Sequence, residues 1–474
     1  MNLRLLAAFA LTLAAAPALA LEAAVGKIDI TPDLKSEPVW MAGFGSRGRR
    51  PTGIHDRLHA RLLVLREGPT TVALAGLDLL GFYIEDSADM RSQWGAGQNR
   101  HLFVHATHQH SGPDTLGLWG PMPGVSGKNR RYEDRIKRSI VAELKSLEAR
   151  LVPVRTLGAH GVLNPRGLCR DSRDPQVIDP NLGVLRFEDE RHKAVATIVN
   201  WSCHPEVLGR ENRMLTADFP GPLCDAVERA TGGGCLFLNG MIGGLLTPDV
   251  TAETFDEAAR VGRTVADAAL ALKARAGGNG LAYHWVNVRV PVENSRYLLF
   301  LPALTGGHRI FNAAGQAVDA RWAWLISLRH ALFGLPEAKR PWVETEVGVL
   351  DIGPARILGL PGEAFPELAI GGYDGRYAFG LPVLSTAGPH RDLAAAPKGP
   401  YLRELVKAPV PLLVGLANDE LGYFVPNYDF RIRPSKTMLP RLPGHYEETN
   451  SVGPTATKLL AEAAADLLRK TPRP

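Results

Sequence analysis

Two apolar segments of this chain each run directly into histidine, and this pattern restricts the fold more than any other feature. The first segment, residues 101–106, leads to His108 and His110, which stand two positions apart. Alternate side chains of an extended chain share a face, so both imidazoles can point into one pocket. The second segment, residues 194–201, leads to His204, which Pro205 biases towards extended backbone angles. Together they predict a metal site at the end of a sheet, because neutral imidazole is the commonest metal ligand in proteins.

Each histidine taken singly has an ordinary alternative, since paired histidines also occur in loops and near cores as hydrogen-bonded polar residues. A carboxylate that could complete the site follows a later segment, 349–360, which has the pattern of a β-hairpin. Glu363 comes just after this hairpin, where we expect a helix to begin, so its alternative role is to stabilise that helix through the dipole. Two histidines and a carboxylate, with one position open to water, are typical of catalytic zinc sites.

Several short motifs resemble those of one enzyme family, the neutral, non-lysosomal ceramidases, and they occur in the family's order. They are Met41-Ala-Gly-Phe-Gly45, Thr52-Gly-Ile-His-Asp-Arg57, Thr107-His-Gln-His-Ser-Gly-Pro113, Asn200-Trp-Ser-Cys-His-Pro205, Leu360-Pro-Gly-Glu363, Gly422-Tyr423, and His445-Tyr-Glu-Glu448 followed by Gly453-Pro454. The resemblance implies that residues 21–474 form the family's catalytic domain. It also implies a zinc-dependent amidohydrolase, which cleaves the N-acyl amide bond of ceramide-like lipids with a metal-activated water.

The resemblance further implies which residues would hold the metal. By matching each motif to this chain, the ligands of the zinc ion are His108, His204, Glu363 and Tyr423. Tyrosine is an uncommon zinc ligand, and the spacing of the residues alone would not have indicated it. Zn²⁺ is the cofactor that the resemblance implies.

Four other residues are implied to act in the reaction. His110 is expected beside the metal, as an acid/base or as a donor to the reacting carbonyl, and Tyr446 across the pocket as a donor to the developing oxyanion. Arg166 lies near the family's Asn-Arg-Ser segment, which a proline interrupts here. Thr247 occupies the place of the family's active-site serine. Its methyl group restricts the side-chain rotamers, so a hydrogen-bonding role fits better than a nucleophilic one.

Two alternatives to a ceramidase-like enzyme remain open at this point. The changed serine loop and the divergent, insertion-like residues 294–345 also fit a related zinc hydrolase that acts on another amide or on an ester. The second alternative is a non-catalytic exported binding protein on the same scaffold. Retention of all the expected ligands argues against this second alternative.

The N-terminal segment and the net charge indicate where the protein is located and which classes of partner it can bind. Arg4, an alanine- and leucine-rich stretch and the ending Ala18-Leu-Ala20 are typical of a secretory signal peptide cleaved after Ala20. This predicts a periplasmic or secreted protein. The net charge of +5 is spread without long basic runs, which argues against nucleic-acid binding and permits transient contact with a membrane surface. In an oxidising compartment, Cys224 and Cys235 form a candidate disulfide.

The periodicity of apolar residues predicts an α/β fold, a mixed β-sheet sandwich flanked by helices with the metal site at strand ends. Strands are expected at 60–66, 71–78, 101–106, 194–201, 235–239, 283–292, 346–360 and 410–416, and helices at 132–149, 218–230, 253–274 and 454–469. The segment 297–333 is unusually apolar. It predicts either a wall or lid for an acyl chain or, slightly favoured, a helix packed on the core, and an exposed apolar patch would favour the former.

Overall fold

The computed structural model describes residues 21–300, 308–384, 392–436 and 445–473. The predicted signal peptide, residues 1–20, lies outside these ranges. Within them, none of the helices combines the length and the apolar character that are needed to span a membrane.

The helices occur between and after the strands along the chain. They are α1 (Ile84–Trp94), α2 (Arg130–Glu148), α3 (Pro220–Thr231), α4 (Phe255–Ala271), α5 (Ser295–Phe300), α6 (Ala320–Phe333), α7 (Pro366–Ile370), α8 (Leu402–Leu405), α9 (Tyr446–Thr449) and α10 (Pro454–Lys470). The longest of them shows why such segments are helical. Asn129 caps α2 by accepting a hydrogen bond from the backbone N–H of Tyr132, and one face of α2 is apolar and buried.

The strands are β1 (Glu22–Asp29), β2 (Gly53–Ile54), β3 (His59–Glu67), β4 (Thr70–Leu77), β5 (Arg100–Ala106), β6 (Val152–Pro153), β7 (Arg155–Val162), β8 (Cys169–Asp171), β9 (Asn181–Glu188), β10 (Ala194–Trp201), β11 (Met214–Leu215), β12 (Gly234–Asn239), β13 (Leu246–Pro248), β14 (Arg275–Ala276), β15 (Leu281–Pro291), β16 (Ile310–Phe311), β17 (Trp342–Ile352), β18 (Ala355–Gly359), β19 (Glu363–Ala364), β20 (Val410–Val414) and β21 (Tyr423–Phe424).

Three larger sheets carry the described part of the chain. Their strand orders are β5-β4-β3-β1-β6, β12-β10-β9-β7-β14 and β15-β17-β18-β20, with β16 added to β17. Each sheet is mainly antiparallel and has one parallel pair that includes an edge strand: β4 with β5, β10 with β12, and β18 with β20. The chain leaves the carboxyl ends of these parallel strands towards one region, and the predicted metal ligands follow there.

The three sheets share one core. Leu74 of the first sheet, Ile198 of the second and Leu412 of the third are fully buried in a single apolar cluster. Helices cover the outer faces: α2 on the first sheet, α3 and α4 on the second, and α10 on the third. This confirms the predicted α/β class, with mixed sheets, flanking helices and the candidate metal site at strand ends.

All of the predicted strands and helices are present within a few residues of their expected bounds. The structure adds β1, β7 and β9 and the helix α1, whose sequences alternate or mix polar and apolar residues irregularly. Helix α6 lies in the segment 297–333, for which a packed helix was one expectation, and residues 301–307 of that segment lie outside the described ranges. One local expectation was wrong. Glu363 does not begin a helix, because it lies in β19 and helix α7 begins later, at Pro366.

The candidate disulfide is not formed. Cys224 on α3 and Cys235 on β12 are both buried free thiols, and their side chains contact each other. Burial, together with the neighbouring Cys224 thiol, raises the pKa of Cys235.

Candidate metal centre

His108 is held in an unusual backbone conformation where the chain leaves β5. Its φ of 69° lies in the left-handed region, which costs a non-glycine residue about 1–3 kcal/mol. Hydrogen bonds hold it there, because the His108 N–H donates to Leu79 O and ring Nδ1 lies 2.8 Å from Leu80 O. A carbonyl oxygen can only accept, so Nδ1 carries the proton. The lone pair is therefore on Nε2, the atom directed at the site.

His204 repeats this arrangement after β10. The side chain is fully buried, and its Nδ1 lies 2.9 Å from Leu246 O, which again makes Nδ1 the donor. The backbone N–H of His204 donates to the same carbonyl. Its Nε2 lies 2.9 Å from Glu363 Oε2. Two histidines are thus oriented by backbone carbonyls so that their Nε2 atoms face one carboxylate.

The two chain segments that precede these histidines are tied together by one buried amide. Asn239 Nδ2 donates to Thr107 O and to Cys203 O, both at 3.0 Å. Thr107 precedes His108 and Cys203 precedes His204, so this side chain sets the separation of the two imidazoles. Asn239 ends β12, the parallel neighbour of β10.

Glu363 and Tyr423 reach the site from the third sheet. β19 and β21 form a two-residue parallel pairing in which Glu363 stands opposite Tyr423. The Tyr423 hydroxyl donates a hydrogen bond to the Glu363 carboxylate. Gly422, at φ 77°, permits this approach, because a Cβ there would clash with Asn450 O. Burial and the Glu363 charge hold the pKa of Tyr423 well above its usual range.

The distances around Glu363 fit a tetrahedral cation. Its Oε2 lies 2.9 Å from His204 Nε2 and 3.6 Å from His108 Nε2. Ligands placed about 2.1 Å from a tetrahedral zinc ion stand about 3.4 Å apart, which falls between these two distances. Burial lowers the pKa of His108 to about 3, so its imidazole is neutral at neutral pH, as a metal ligand must be.

His110 completes a cluster of three histidines. The ring nitrogens of His108, His110 and His204 lie within 4.8 Å of one another, and such a cluster could hold a metal ion. The ring of His110 packs against Gly43, where an added Cβ would lie 2.5 Å from its Cγ. Within the described ranges, His110 Nε2 is buried without a hydrogen-bond partner. Such an atom points to a ligand or to a reacting group at this position.

Glu206 is a functional candidate that sequence reasoning missed. Its Oε2 lies 3.1 Å from His110 Nδ1, an ion-pair distance at which the two groups are not aligned as a hydrogen bond. Burial raises the pKa of Glu206, but His110 and a hydrogen bond from Thr247 outweigh it and bring the pKa to about 2. Its position two residues after His204 was the signal that could have identified it.

An apolar cavity of about 300 Å³ opens above these residues. His108, His110, Glu363 and Tyr423 lie at one end of it, and Tyr446 lines the wall. The remaining lining residues include Leu80, Leu116, Leu118, Trp119 and Tyr297. The ring centroids of Tyr423 and Tyr446 are 5.7 Å apart. The volume is at the lower end of the range for small-molecule sites.

The cavity wall holds one further carboxyl group. Glu420 Oε1 accepts from the backbone N–H of Gly422, while Oε2 is buried and has no hydrogen-bond partner in the described chain. Burial, and then the nearby charges of Glu363 and Asp419, raise the pKa of Glu420. A neutral carboxyl group of this kind can donate a hydrogen bond to a polar atom of a substrate.

Two residues expected in the reaction lie away from the cavity lining. Arg166 is exposed, and its Nε donates to Phe379 O at 2.9 Å. Thr247 lies on β13 opposite Arg170 and contacts Glu206 rather than the cavity.

A buried arginine, Arg173, is a further residue that sequence reasoning missed. Arg173 forms ion pairs with Asp429, Glu447 and Glu448 at 2.6 to 3.1 Å. Glu447 and Glu448 belong to α9, whose first residue is Tyr446, so Arg173 anchors the segment that carries this tyrosine.

Comparisons with known proteins identify the fold. No protein-family model matches the sequence, and no curated protein sequence matches it. Among solved structures, neutral ceramidase from Pseudomonas aeruginosa is similar over 96% of this chain and 76% of that chain, with a TM-score of 0.64 and 18% sequence identity. A ceramidase complexed with C2 gives a TM-score of 0.63, with 18% identity over 96% of this chain and 76% of that one.

The chain therefore has the fold of the neutral ceramidases. This confirms, at the level of the fold, the resemblance predicted from the sequence motifs.

Proposed function

We propose that this protein is a zinc-dependent amidohydrolase that cleaves the N-acyl amide bond of ceramide-like lipids. One observation carries the proposal: a single carboxylate oxygen of Glu363 lies close to the Nε2 atoms of two oriented histidines, at the end of an apolar cavity. The ceramidase fold supports the reaction class. The predicted signal peptide supports export to the periplasm or the medium.

The proposed zinc ligands are His108, His204, Glu363 and Tyr423. In both histidines Nδ1 is engaged by a backbone carbonyl, which directs Nε2 towards Glu363. When bound, zinc supplies a Lewis acid that polarises an amide carbonyl and lowers the pKa of water to about 7. The fit of the donor atoms to one tetrahedral cation supports this ligand set.

His110 is proposed as the acid/base. Its Nε2 has no protein partner in the described chain and faces the same region as the ligands, so it can hold a proton where the amide nitrogen would stand. Amide cleavage requires such a donor, because an amide anion is a very poor leaving group. Glu206 Oε2, at 3.1 Å from His110 Nδ1, is placed to orient the His110 ring, and Thr247 positions Glu206 rather than attacking the substrate.

Tyr446 is proposed as a donor to the developing oxyanion across the cavity. Such a donor contributes roughly 3 kcal/mol to the stabilisation of a transition state. Arg173 positions Tyr446 by anchoring α9. Arg166 receives no role here, since its guanidinium is engaged with Phe379 O outside the cavity.

A second candidate function rests on Glu420. A buried carboxyl group whose Oε2 has no partner in the described chain leaves a polar position in the cavity wall, which a substrate with a polar headgroup other than that of ceramide could also fill. Such a substrate could be an N-acyl amide other than ceramide, or an ester, processed by the same residues.

The test is a substrate panel with the purified, zinc-loaded mature protein. Short-chain ceramide, N-acyl amino acids and simple esters are compared by fatty-acid release, with the His204→Ala variant as the inactive control. We expect ceramide to be cleaved and His204→Ala to be inactive. Turnover of N-acyl amino acids or esters without turnover of ceramide would favour the second function. No turnover of any acyl compound by zinc-loaded protein would favour a binding protein.

A further inference from the structure

Helix α6 has one face that packs on the protein and an opposite face that is exposed to solvent. Its inner face packs on the segment before and within α5, where Ser327 Oγ donates to Ser295 O and His330 Nε2 contacts Glu293 O. Ala323 is also buried on this face. These contacts fix which side of the helix faces the rest of the protein.

The outer face carries large apolar side chains that face solvent. They are Trp322, Trp324, Leu325, Leu328, Leu332 and Phe333, with exposed fractions that rise to 61% for Leu332 and 82% for Phe333. At 100° per residue, Leu325, Leu328 and Leu332 form a stripe opposite Ala323 and Ser327. A surface helix normally has polar residues there, so this face points to a partner.

The helix lies behind one wall of the cavity. It packs on α5, and Arg296 and Tyr297 of α5 line the cavity. On another side of the same cavity, the loop through Pro123 and Gly124 exposes Met122 and Val125. Apolar side chains therefore flank the cavity on two sides.

The charges near α6 favour an anionic surface. Arg329 lies on the outer face between the leucines, and its neighbour Lys436 donates from Nζ to Ala331 O near the end of the helix. Arg433 is exposed on the same turn as Lys436. Acidic residues occur beyond the helix ends, at Asp319 and Glu337, rather than on the stripe. Tryptophan with flanking arginine and lysine is typical of segments that lie at a bilayer surface.

We propose that the outer face of α6 and the loop 122–125 dock the protein on an anionic phospholipid membrane, with the cavity mouth towards the lipid. The proposal extends the proposed function, since a lipid amide would then enter the cavity from the bilayer. Docking is nevertheless measured without catalysis, so either proposal can fail alone.

The test is co-sedimentation of the mature protein with vesicles. Vesicles of phosphatidylcholine with phosphatidylglycerol are compared with pure phosphatidylcholine, for the wild type and for Leu328→Glu/Leu332→Glu. We expect the wild type to bind the anionic vesicles, more weakly at high salt, and the double variant to bind at least about tenfold less. Leu381→Glu is the matched control, because Leu381 is 53% exposed and does not line the cavity.

A second measurement reports the docked surface directly. Brominated phospholipid should quench the tryptophan fluorescence of the wild type, and Trp322→Phe/Trp324→Phe should remove most of this quenching. Turnover of a water-soluble N-acyl amide should be unchanged in the leucine double variant. The proposal is overturned if the wild type does not bind, if both proteins bind equally, or if the double substitution dissolves a dimer instead, since the partner would then be a second copy.

Discussion

Glu363 and Tyr423 are direct partners in a two-residue parallel pairing, which continues beyond the parallel strands β18 and β20. The backbone therefore sets the distance between a carboxylate and a phenol that are far apart in sequence. Because the backbone fixes this geometry, a side chain can be removed from the site without displacing its partner. Substitutions at the proposed ligands should therefore reduce metal binding more than they reduce the stability of the fold.

Metal content separates the proposed ligands from their neighbours. We expect His204→Ala to lose the bound zinc and all activity, because its Nε2 is one of two imidazole donors. Thr247→Ala should keep its zinc, since Thr247 contacts Glu206 and not the metal site. Elemental analysis of the purified variants measures both.

His110→Ala tests whether His110 acts as the acid/base or is a third histidine ligand of the metal. If His110 is the acid/base, this variant should retain zinc and lose at least about 100-fold in activity. Loss of zinc in His110→Ala with retention in Tyr423→Phe would instead make the three histidines the ligands.

Asn239 should couple stability to metal affinity. Asn239→Ala removes four buried hydrogen bonds, because Nδ2 donates to two carbonyls and Oδ1 accepts from the N–H groups of Cys203 and Gly240. It should lower the free energy of unfolding by about 2–4 kcal/mol, while the loops that carry His108 and His204 separate. Asn200→Ala is the control, because Asn200 also donates to two backbone carbonyls, of Leu238 and Leu413. Chemical denaturation and zinc titration compare the two variants, and equal zinc affinities would contradict the role of Asn239.

Strand β5, which leads to His108, was predictable because an apolar run is a strong local signal. The choice of His108 rather than His105 as a ligand depended on where the strand was expected to end. The structure places His105 in the core, where its Nε2 accepts from the Asn239 N–H and burial lowers its pKa to about 3. Which of several histidines faces the site depends on where the strand ends, and the left-handed turn at His108 is set by tertiary contacts.

The residues that sequence reasoning missed act through long-range contacts. The position of Glu206 two residues after His204 could have indicated a role, but its contact with His110 is made only by the fold. Arg173 contacts carboxylates more than 250 positions away. For the segment 297–333 the sequence left open a wall or lid for an acyl chain and a helix packed on the core, and the exposed apolar outer face of α6 favours the former. Exposure is a property of the assembled fold, so it could not be read from the helix itself.

Arg173 should be much more important for stability than a surface arginine. Its side chain is 5% exposed among three carboxylates, so Arg173→Met would remove the buried cation that all three share and cost about 3–5 kcal/mol. Arg155→Met, which breaks a pair with Glu188 at the surface, should cost less than about 1 kcal/mol. Urea denaturation measures both, and a similar small effect of the two substitutions would contradict this account.

The pair of His308 and Asp419 predicts a pH dependence of stability. Burial lowers the pKa of His308, but Asp419 at 3.1 Å and Glu85 outweigh it and raise the pKa from 6.5 to about 9. The folded protein therefore holds the His308 proton more tightly than the unfolded chain does. The ion pair contributes its full stability below pH 6.5, and this contribution is lost as the pH rises through about 9. It amounts to about 3 kcal/mol.

The check is the free energy of unfolding of the wild type minus that of His308→Gln, measured from pH 6 to pH 10. We expect this difference to fall as the pH rises, because other titrating groups are common to both proteins. A difference that is constant with pH, or that grows, would show that His308 is not charged in the folded protein.

The most direct test of the central claim is anomalous X-ray scattering at the zinc edge from crystals of the zinc-loaded protein. We predict one peak about 2.0–2.1 Å from the Nε2 atoms of both His108 and His204 and from a Glu363 oxygen, with the Tyr423 oxygen as the fourth ligand. A peak bound elsewhere, or none at this position in fully loaded protein, would contradict the account.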